Sequence, residues 1–244
     1  MKSVFITGAN KGIGFETAKQ LLENGFHVYL GSRNLEKGLR AVDLLKNNGL
    51  TEVEAIEIDV TDDNSVKTAR AEIGKRTDIL DVLINNAGIS GIQQNTLNSG
   101  IDNFKTVYET NVYGVIRVTT AFMDLLKKSD EPRIVNVSSN MGSLTLQSDP
   151  AYPAYDYKSL AAYSSSKSAM NMFTIHLAYE LRDTNFKVNA VCPGYTKTDF
   201  TSHHGGEVEE AGRRIVRYAL LDRNGVTGKF ISEELQTETG EVPW

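Results

Sequence analysis

Val4-Phe5-Ile6-Thr7-Gly8-Ala9-Asn10-Lys11-Gly12-Ile13-Gly14 is the stretch on which the fold turns. A short apolar run leads into three glycines, and residues 12–23 then read as an amphipathic helix. Glycines between a strand and a helix let the backbone reverse sharply and let a pyrophosphate come close. The helix start adds unpaired N–H groups and the positive end of a dipole. The spacing is G-x-x-x-G-x-G, not the G-x-G-x-x-G of the standard dinucleotide fingerprint, and three glycines alone would also suit a plain turn. Their place between the first strand and the first helix selects the phosphate-binding reading. Its residues are Gly8, Asn10, Lys11, Gly12, Ile13 and Gly14.

Working outward, apolar β-branched runs alternate with amphipathic stretches. Strands are predicted at 4–6, 27–31, 53–58, 79–84, 133–137 and 187–191. Helices are predicted at 12–23, 35–47, 62–75, 101–127 and 160–182. Short apolar strands with helices between them indicate a parallel sheet covered on both faces. The fold class expected is α/β, a single-domain Rossmann-type doubly wound parallel β-sheet over residues 1–244. Ligand crevices in such sheets open at the carboxyl ends of the strands, so chemistry is expected just after strands.

Bulk properties agree with one globular domain. Hydrophobic residues make up 40% of the 244, charged residues 23%, and the five prolines mark no linker. The net charge of −5 argues against a sequence-independent nucleic-acid binder. One cysteine, Cys192, allows no internal disulfide. No signal-peptide core and no run of ~20 apolar residues is visible, so a soluble, cytoplasmic chain without membrane partners is expected. His203-His204 lacks partners at ligand spacing, so no metal is expected.

The end of the second strand selects the cofactor. An acid there would bind the ribose hydroxyls of NAD, whereas an arginine suits a 2′-phosphate. The sequence reads Leu30-Gly31-Ser32-Arg33-Asn34, with no acid. Arg33 can fork onto a phosphate and Lys11 can approach the same group, so NADPH/NADP+ is expected over NADH.

Tyr163-Ser164-Ser165-Ser166-Lys167 opens a predicted helix. Residues four apart share a helical face. An ammonium beside a phenol should lower the phenol pKa from its reference near 10 and make it a usable proton donor.

With these residues in view, the chain resembles the short-chain dehydrogenase/reductase family. Gly8/Gly12/Gly14, Asn85-Asn86-Ala87-Gly88, Asn111, Ser138-Ser139, Tyr163/Lys167 and Pro193-Gly194 follow the family's order over nearly the whole chain. The glycine turn with Arg33, and the Thr227-Gly228-Lys229-Phe230 and Pro243-Trp244 endings, look like its NADPH-dependent carbonyl reductase branch.

The resemblance implies roles. Asp59 and Val60 would border the adenine, and Asn86, Ala87 and Gly88 would line the cofactor path. Asn111 would hold a relay water beside the lysine, and Ser139 would contact the substrate oxygen. Tyr163 would protonate that oxygen, and Lys167 would bind the nicotinamide ribose. Pro193, Gly194, Thr196 and Thr198 would hold the carboxamide. The expected activity is NADPH-dependent reduction of a ketone, aldehyde or quinone-like carbonyl. The alternatives are alcohol oxidation by the same residues, an epimerase or dehydratase, and a non-catalytic NADPH sensor.

Ser139 and Tyr163 are 24 positions apart, about twice the spacing of compact family members. An insertion at about 144–160 is therefore expected, its tyrosines covering either the substrate pocket or a subunit face. Residues 195–215 are expected to form the substrate loop. Whether the chain is a monomer or a homo-oligomer is left open.

Overall fold

The opening strand becomes the centre of the sheet. In this computed structural model, which describes residues 1–236 and 238–244, β1 (Ser3–Ile6) runs through the glycine turn into α1 (Gly12–Glu23). β2 (His27–Ser32), α2 (Leu35–Asn47) and β3 (Val53–Glu57) continue outward on one side. The chain crosses by α3 (Asp63–Gly74) to β4 (Val82–Asn85), which pairs with the other edge of β1. Next come α4 (Ile101–Tyr108), a π-helical turn (Glu109–Tyr113), α5 (Gly114–Leu126), β5 (Arg133–Val137), α6 (Leu144–Ser148) and α7 (Ala161–Glu180). β6 (Lys187–Val191), α8 (Val208–Ala219) and β7 (Phe230–Ile231) complete the order.

All sheet pairings are parallel, in the order β3-β2-β1-β4-β5-β6-β7. The winding direction reverses between β1 and β4, and that junction opens a crevice at the strands' carboxyl ends. Successive side chains of a strand face opposite sides. Val4 and Ile6 pack with Ala18, Leu21, Leu45 and Ile215 of α1, α2 and α8, while Phe5 packs with Val66, Phe122 and Leu177 of α3, α5 and α7. Both faces are buried, so the strands read as continuous apolar runs.

Helix starts follow local chemistry. The Asn34 side chain accepts from Lys37 N–H and caps α2, and Asp62 accepts from Ser65 N–H and caps α3. The N-cap of α1, Lys11, makes no such bond.

Three expectations are corrected. The helix predicted over 101–127 is interrupted by the π turn at Glu109–Tyr113, whose extra residue per turn changes which side chains face the crevice. The strand predicted from residue 79 begins at Val82, because the Ile79 carbonyl is drawn into a turn by the hydroxyls of Ser3 and Thr77. The substrate loop expected over 195–215 ends at α8, which starts at Val208. Among the described residues no helix is long and apolar enough to cross a membrane.

Candidate active site

The phosphate turn is built by backbone constraints. Gly8 and Gly12 adopt φ of +64° and +58°, a region that disfavours side chains. A Cβ on Gly14 would lie 2.5 Å from Asn86 Nδ2 and 2.8 Å from the Gly8 carbonyl. Asn86 locks this packing, because Nδ2 donates to the carbonyls of Thr7 and Gly8 at 2.9 and 3.0 Å. Thr7 Oγ1 in turn accepts from the N–H groups of Asn86 and Ala87. Asn86 therefore uses its side-chain amide to shape the turn.

The same segment reaches the catalytic candidates. A Cβ on Gly8 would lie 3.0 Å from Ala87 Cα, and one on Gly88 would lie 3.6 Å from Lys167 Nζ and 3.3 Å from Asn111 Oδ1. Residues 87 and 88 thus join the glycine turn to the lysine. Lys167 is buried, lies 5.7 Å from the Tyr163 ring centroid, and donates to the Val137 carbonyl at 2.7 Å. Gly142 clears the way for α7, since a Cβ there would sit 2.7 Å from Lys167 Cβ.

The Tyr163 pKa is raised, not lowered as expected. Burial pushes the phenol well above its ordinary range, with the Ser139 hydroxyl opposing that rise. Burial also pulls Lys167 down, from 10.5 to about 8. In low dielectric the charged form of each group is the costly one, and desolvation outweighs the pair's attraction.

Asn111 is fully buried at the π turn. Its Oδ1 accepts from Ile89 N–H at 2.9 Å, and Nδ2 donates to the Ile89 carbonyl at 2.9 Å and to Ser166 Oγ at 3.0 Å. Its side chain pins the β4–α4 connection to α7. A water-holding role would fall to the remaining Oδ1 lone pair or to its backbone carbonyl. Behind it a buried polar chain crosses the sheet: Asn85 Nδ2 donates to Thr119 Oγ1 and Asn136 Oδ1, and Asn136 Nδ2 donates to Thr174 Oγ1.

Ser139 follows β5, and its Oγ accepts from Met141 N–H at 3.2 Å. Pro193 and Gly194 follow β6. Gly194 has φ +91°, and its missing side chain makes room for Arg214, whose Nη1 donates to the Pro193 carbonyl at 2.8 Å. Thr196 is buried and bonded to the Gly194 carbonyl. Thr198 brings its methyl within 3.4 Å of where a Gly12 Cβ would be, so this segment closes over the turn.

Asp59 and Val60, expected beside the adenine, are engaged within the chain. Val60 packs on Gly114, and its carbonyl is taken by Arg117 Nη1 at 2.7 Å. Asp59 Oδ1 accepts from Thr61 N–H and Oγ1 at 2.9 and 2.7 Å. Burial alone would raise the Asp59 pKa, but these bonds and the charges of Arg33 and Arg117 bring it below the ordinary carboxylate value. Arg33 is exposed and makes no ion pair among the described residues. Lys11 pairs with Asp199 at 2.5 Å.

The inserted segment is partly packed against the strand ends. Tyr152 is half-buried and feels the charges of Cys192 and Glu234, its phenol pushed up to about 12 chiefly by burial. Phe200 stacks obliquely on Tyr163 at 5.5 Å. Sequence reasoning did not single out Ser166, Gly142, Phe200 or Arg214. Ser166 lies inside the Tyr163–Lys167 motif and was legible as a neighbour of Lys167, whereas the other three meet the site only through tertiary packing. Among the described residues no cluster of three or more His, Cys, Asp or Glu is placed to hold a metal.

The uncapped α1 start, the side-chain-free cradle of Gly8, Gly12 and Gly14 and the unpaired Arg33 fit a phosphate-bearing dinucleotide. Comparison with known proteins agrees. The chain is 38% identical to the short-chain dehydrogenase anuI of Penicillium roqueforti, over 95% of this chain and 94% of that protein. It is 34% identical to (-)-isopiperitenone reductase of Mentha piperita, over 94% and 95%. Salutaridine reductase from Papaver somniferum superposes with a TM-score of 0.82 at 30% identity, covering 94% of this chain and 99% of that one. NADPH-bound carbonyl reductase from chicken fatty liver superposes with a TM-score of 0.86 at 28% identity, covering 100% and 99%. The family profile described as short chain dehydrogenase matches residues 2–208, and the chain belongs to that family of nicotinamide-dependent oxidoreductases.

Proposed function

We propose that the chain is an NADPH-dependent carbonyl reductase that converts a ketone, aldehyde or quinone-like group to an alcohol. The observation that carries this reading is the buried Tyr163–Lys167 pair, with Ser139 beside the phenol, at the strand ends next to the glycine turn. Support also comes from relatives named as reductases and from the similar fold of an NADPH-bound carbonyl reductase.

When bound, the nicotinamide supplies the hydride. Negative charge then grows on the carbonyl oxygen. Ser139 donates a hydrogen bond to that oxygen, and Tyr163, kept neutral by burial, gives it a proton. Lys167 stands where its ammonium stabilises the resulting phenolate. With its pKa brought to about 8, the amine exchanges protons readily near neutral pH. Asn111 fixes Ile89 and Ser166 on either side of that relay. Gly8, Asn10, Lys11, Gly12, Ile13 and Gly14 hold the pyrophosphate end, and Arg33 takes the 2′-phosphate. Ala87 and Gly88 form the floor between the two ends, and Pro193 to Thr198 form the wall beside the nicotinamide.

The decisive experiment is consumption of NADPH and of NADH with a panel of ketones, aldehydes, quinones and diketones. The wild type is expected to turn over some of these with NADPH preferred, and Tyr163→Phe is expected to lose turnover by at least about 10²-fold while still binding NADPH. Retained activity in that variant overturns the assignment of Tyr163. Tight NADPH binding without turnover on any carbonyl favours a sensor. Arg33→Asp is expected to move preference toward NADH.

A further inference from the structure

The segment between β6 and α8 is a closed loop. Its neck is made by Lys197 N–H donating to the Gly206 carbonyl at 2.9 Å and Gly206 N–H donating to the Tyr195 carbonyl at 2.7 Å. Inside it, Thr201 Oγ1 bonds the carbonyls of Thr196 and His204 at 2.5 and 2.8 Å. Ser202 and His203 lie consecutively at φ of 51° and 61°, a conformation kept only where surroundings enforce it. The loop is therefore tied together by its own bonds, and two adjacent residues on it reach different parts of the site. Asp199 pairs with Lys11 of the phosphate turn at 2.5 Å, and Phe200 covers Tyr163 at 5.5 Å. The other cation on Asp199 among the described residues, if protonated, is His203, at 3.3 Å.

Lys11 has two claims on one ammonium. Ala9 N–H donates to the Gly31 carbonyl at 2.8 Å, so the turn that carries Lys11 lies alongside the end of β2, where Arg33 stands. A 2′-phosphate held by Arg33 brings a charge near −2 within the sweep of a flexible four-carbon stem, against a single charge on Asp199. We propose that Asp199 is a cofactor-discriminating residue. It pairs with Lys11 and surrenders it to a 2′-phosphate, so the broken pair opposes binding of the 2′-phosphorylated cofactor and its release unties the loop that sets Phe200 on Tyr163. The proposal rests on the NADPH reading above and adds to it a competing carboxylate that the glycine and arginine motifs do not contain.

Adenosine 2′,5′-bisphosphate and AMP separate the two claims, because neither carries a nicotinamide to touch Phe200. Exposed ion pairs are worth ~0.2–1 kcal/mol, which converts to about 1.4- to 5-fold in affinity. By calorimetry, Asp199→Asn is expected to tighten adenosine 2′,5′-bisphosphate by about that factor and leave AMP unchanged. Lys11→Gln is expected to weaken the bisphosphate, and in the Lys11→Gln background Asp199→Asn is expected to have no further effect. Hydrogen exchange of amides 197–205 is expected to speed up when the bisphosphate binds the wild type, and to be fast already in Asp199→Asn. A wild type that prefers the bisphosphate, with that preference unchanged in Asp199→Asn, overturns the exchange but keeps the NADPH reading. A gain in Asp199→Asn that persists without Lys11 means simple repulsion of phosphate and also overturns it. A wild type that binds both nucleotides equally overturns the NADPH reading and the exchange together.

Discussion

Lys167 shows at the scale of one residue what the chain's letters hide. Its spacing from Tyr163 was legible, and the structure puts the two side chains together. The direction of the electrostatics was not legible, because burial is a property of the packed site. The lysine is pulled from 10.5 to about 8, so between those values the unfolded chain binds more protons than the folded one. Stability therefore rises with pH across that window on account of Lys167. Tyr163 acts oppositely. Its raised pKa lets the folded state keep a proton above pH ~10 that the unfolded state has lost, so its contribution falls as pH climbs beyond that value. Between pH 8 and 10 Tyr163 contributes little, and the rise due to Lys167 is opposed by Cys192, whose buried thiol is pushed above 9.0 and keeps a proton that the unfolded chain loses. Lys167→Met removes the titration, so the urea stability of the wild type relative to this variant is expected to grow over that interval. A constant difference between the two would mean that Lys167 is not desolvated.

Elements explain which expectations failed and what single substitutions do. The apolar pattern marked a helix over 101–127, because a single wider turn shifts the apolar stripe only once and the helical stretches on either side each keep their own period. That turn nonetheless sets Asn111 against Ile89 and Ser166. Asn111→Leu would strand the Ile89 N–H and carbonyl in a buried site, at ~1–3 kcal/mol per unsatisfied group. A lower denaturation midpoint together with lost turnover is expected, in contrast to Tyr163→Phe, which should lose turnover with its fold intact. The glycines divide in the same way. Gly14→Ala pushes a methyl into Asn86, the Gly8 carbonyl and Ala9, all under 3 Å away, so ~1–3 kcal/mol of stability and NADPH binding should go together. Gly100→Ala, at the N-cap of α4 with nothing within 4 Å, is the matched control and should stay within ~0.5 kcal/mol of wild type. Helix α8 was missed because its strong amphipathic pattern lay inside a stretch read as substrate loop. Strand β7 was missed because two residues carry no period at all.

The whole molecule was legible where one strand, one turn and one helix fixed the switch point between β1 and β4, since the rest of the sheet must then build outward from it. What could not be read was how residues 240–244 tie the insertion to the sheet's far edge. Val242 N–H donates to the Phe230 carbonyl and Ser232 N–H to the Gly240 carbonyl, at 3.0 and 2.7 Å, so the segment folds back along β7. Trp244 stacks on Phe230 at 5.6 Å. Its carbonyl accepts from Thr145 N–H and Oγ1 at 3.1 and 2.9 Å, and the Pro243 carbonyl accepts from Ser143 Oγ at 2.7 Å. Ser143 is fully buried at the start of α6, so these bonds anchor the beginning of the inserted segment that carries Tyr152. Tyr163 and Lys167, by contrast, take their described contacts from β5 and the 87–88 segment. If the inserted segment is the substrate wall, deleting residues 243 and 244 should loosen that wall and leave the proton-transfer groups in place. On a carbonyl substrate found with the panel, KM is expected to rise several-fold with kcat within about twofold, and the urea midpoint to fall as the Phe230 ring loses its cover. A fall in kcat at unchanged KM would show instead that the strap supports the catalytic groups themselves, and the wall would have to be anchored elsewhere.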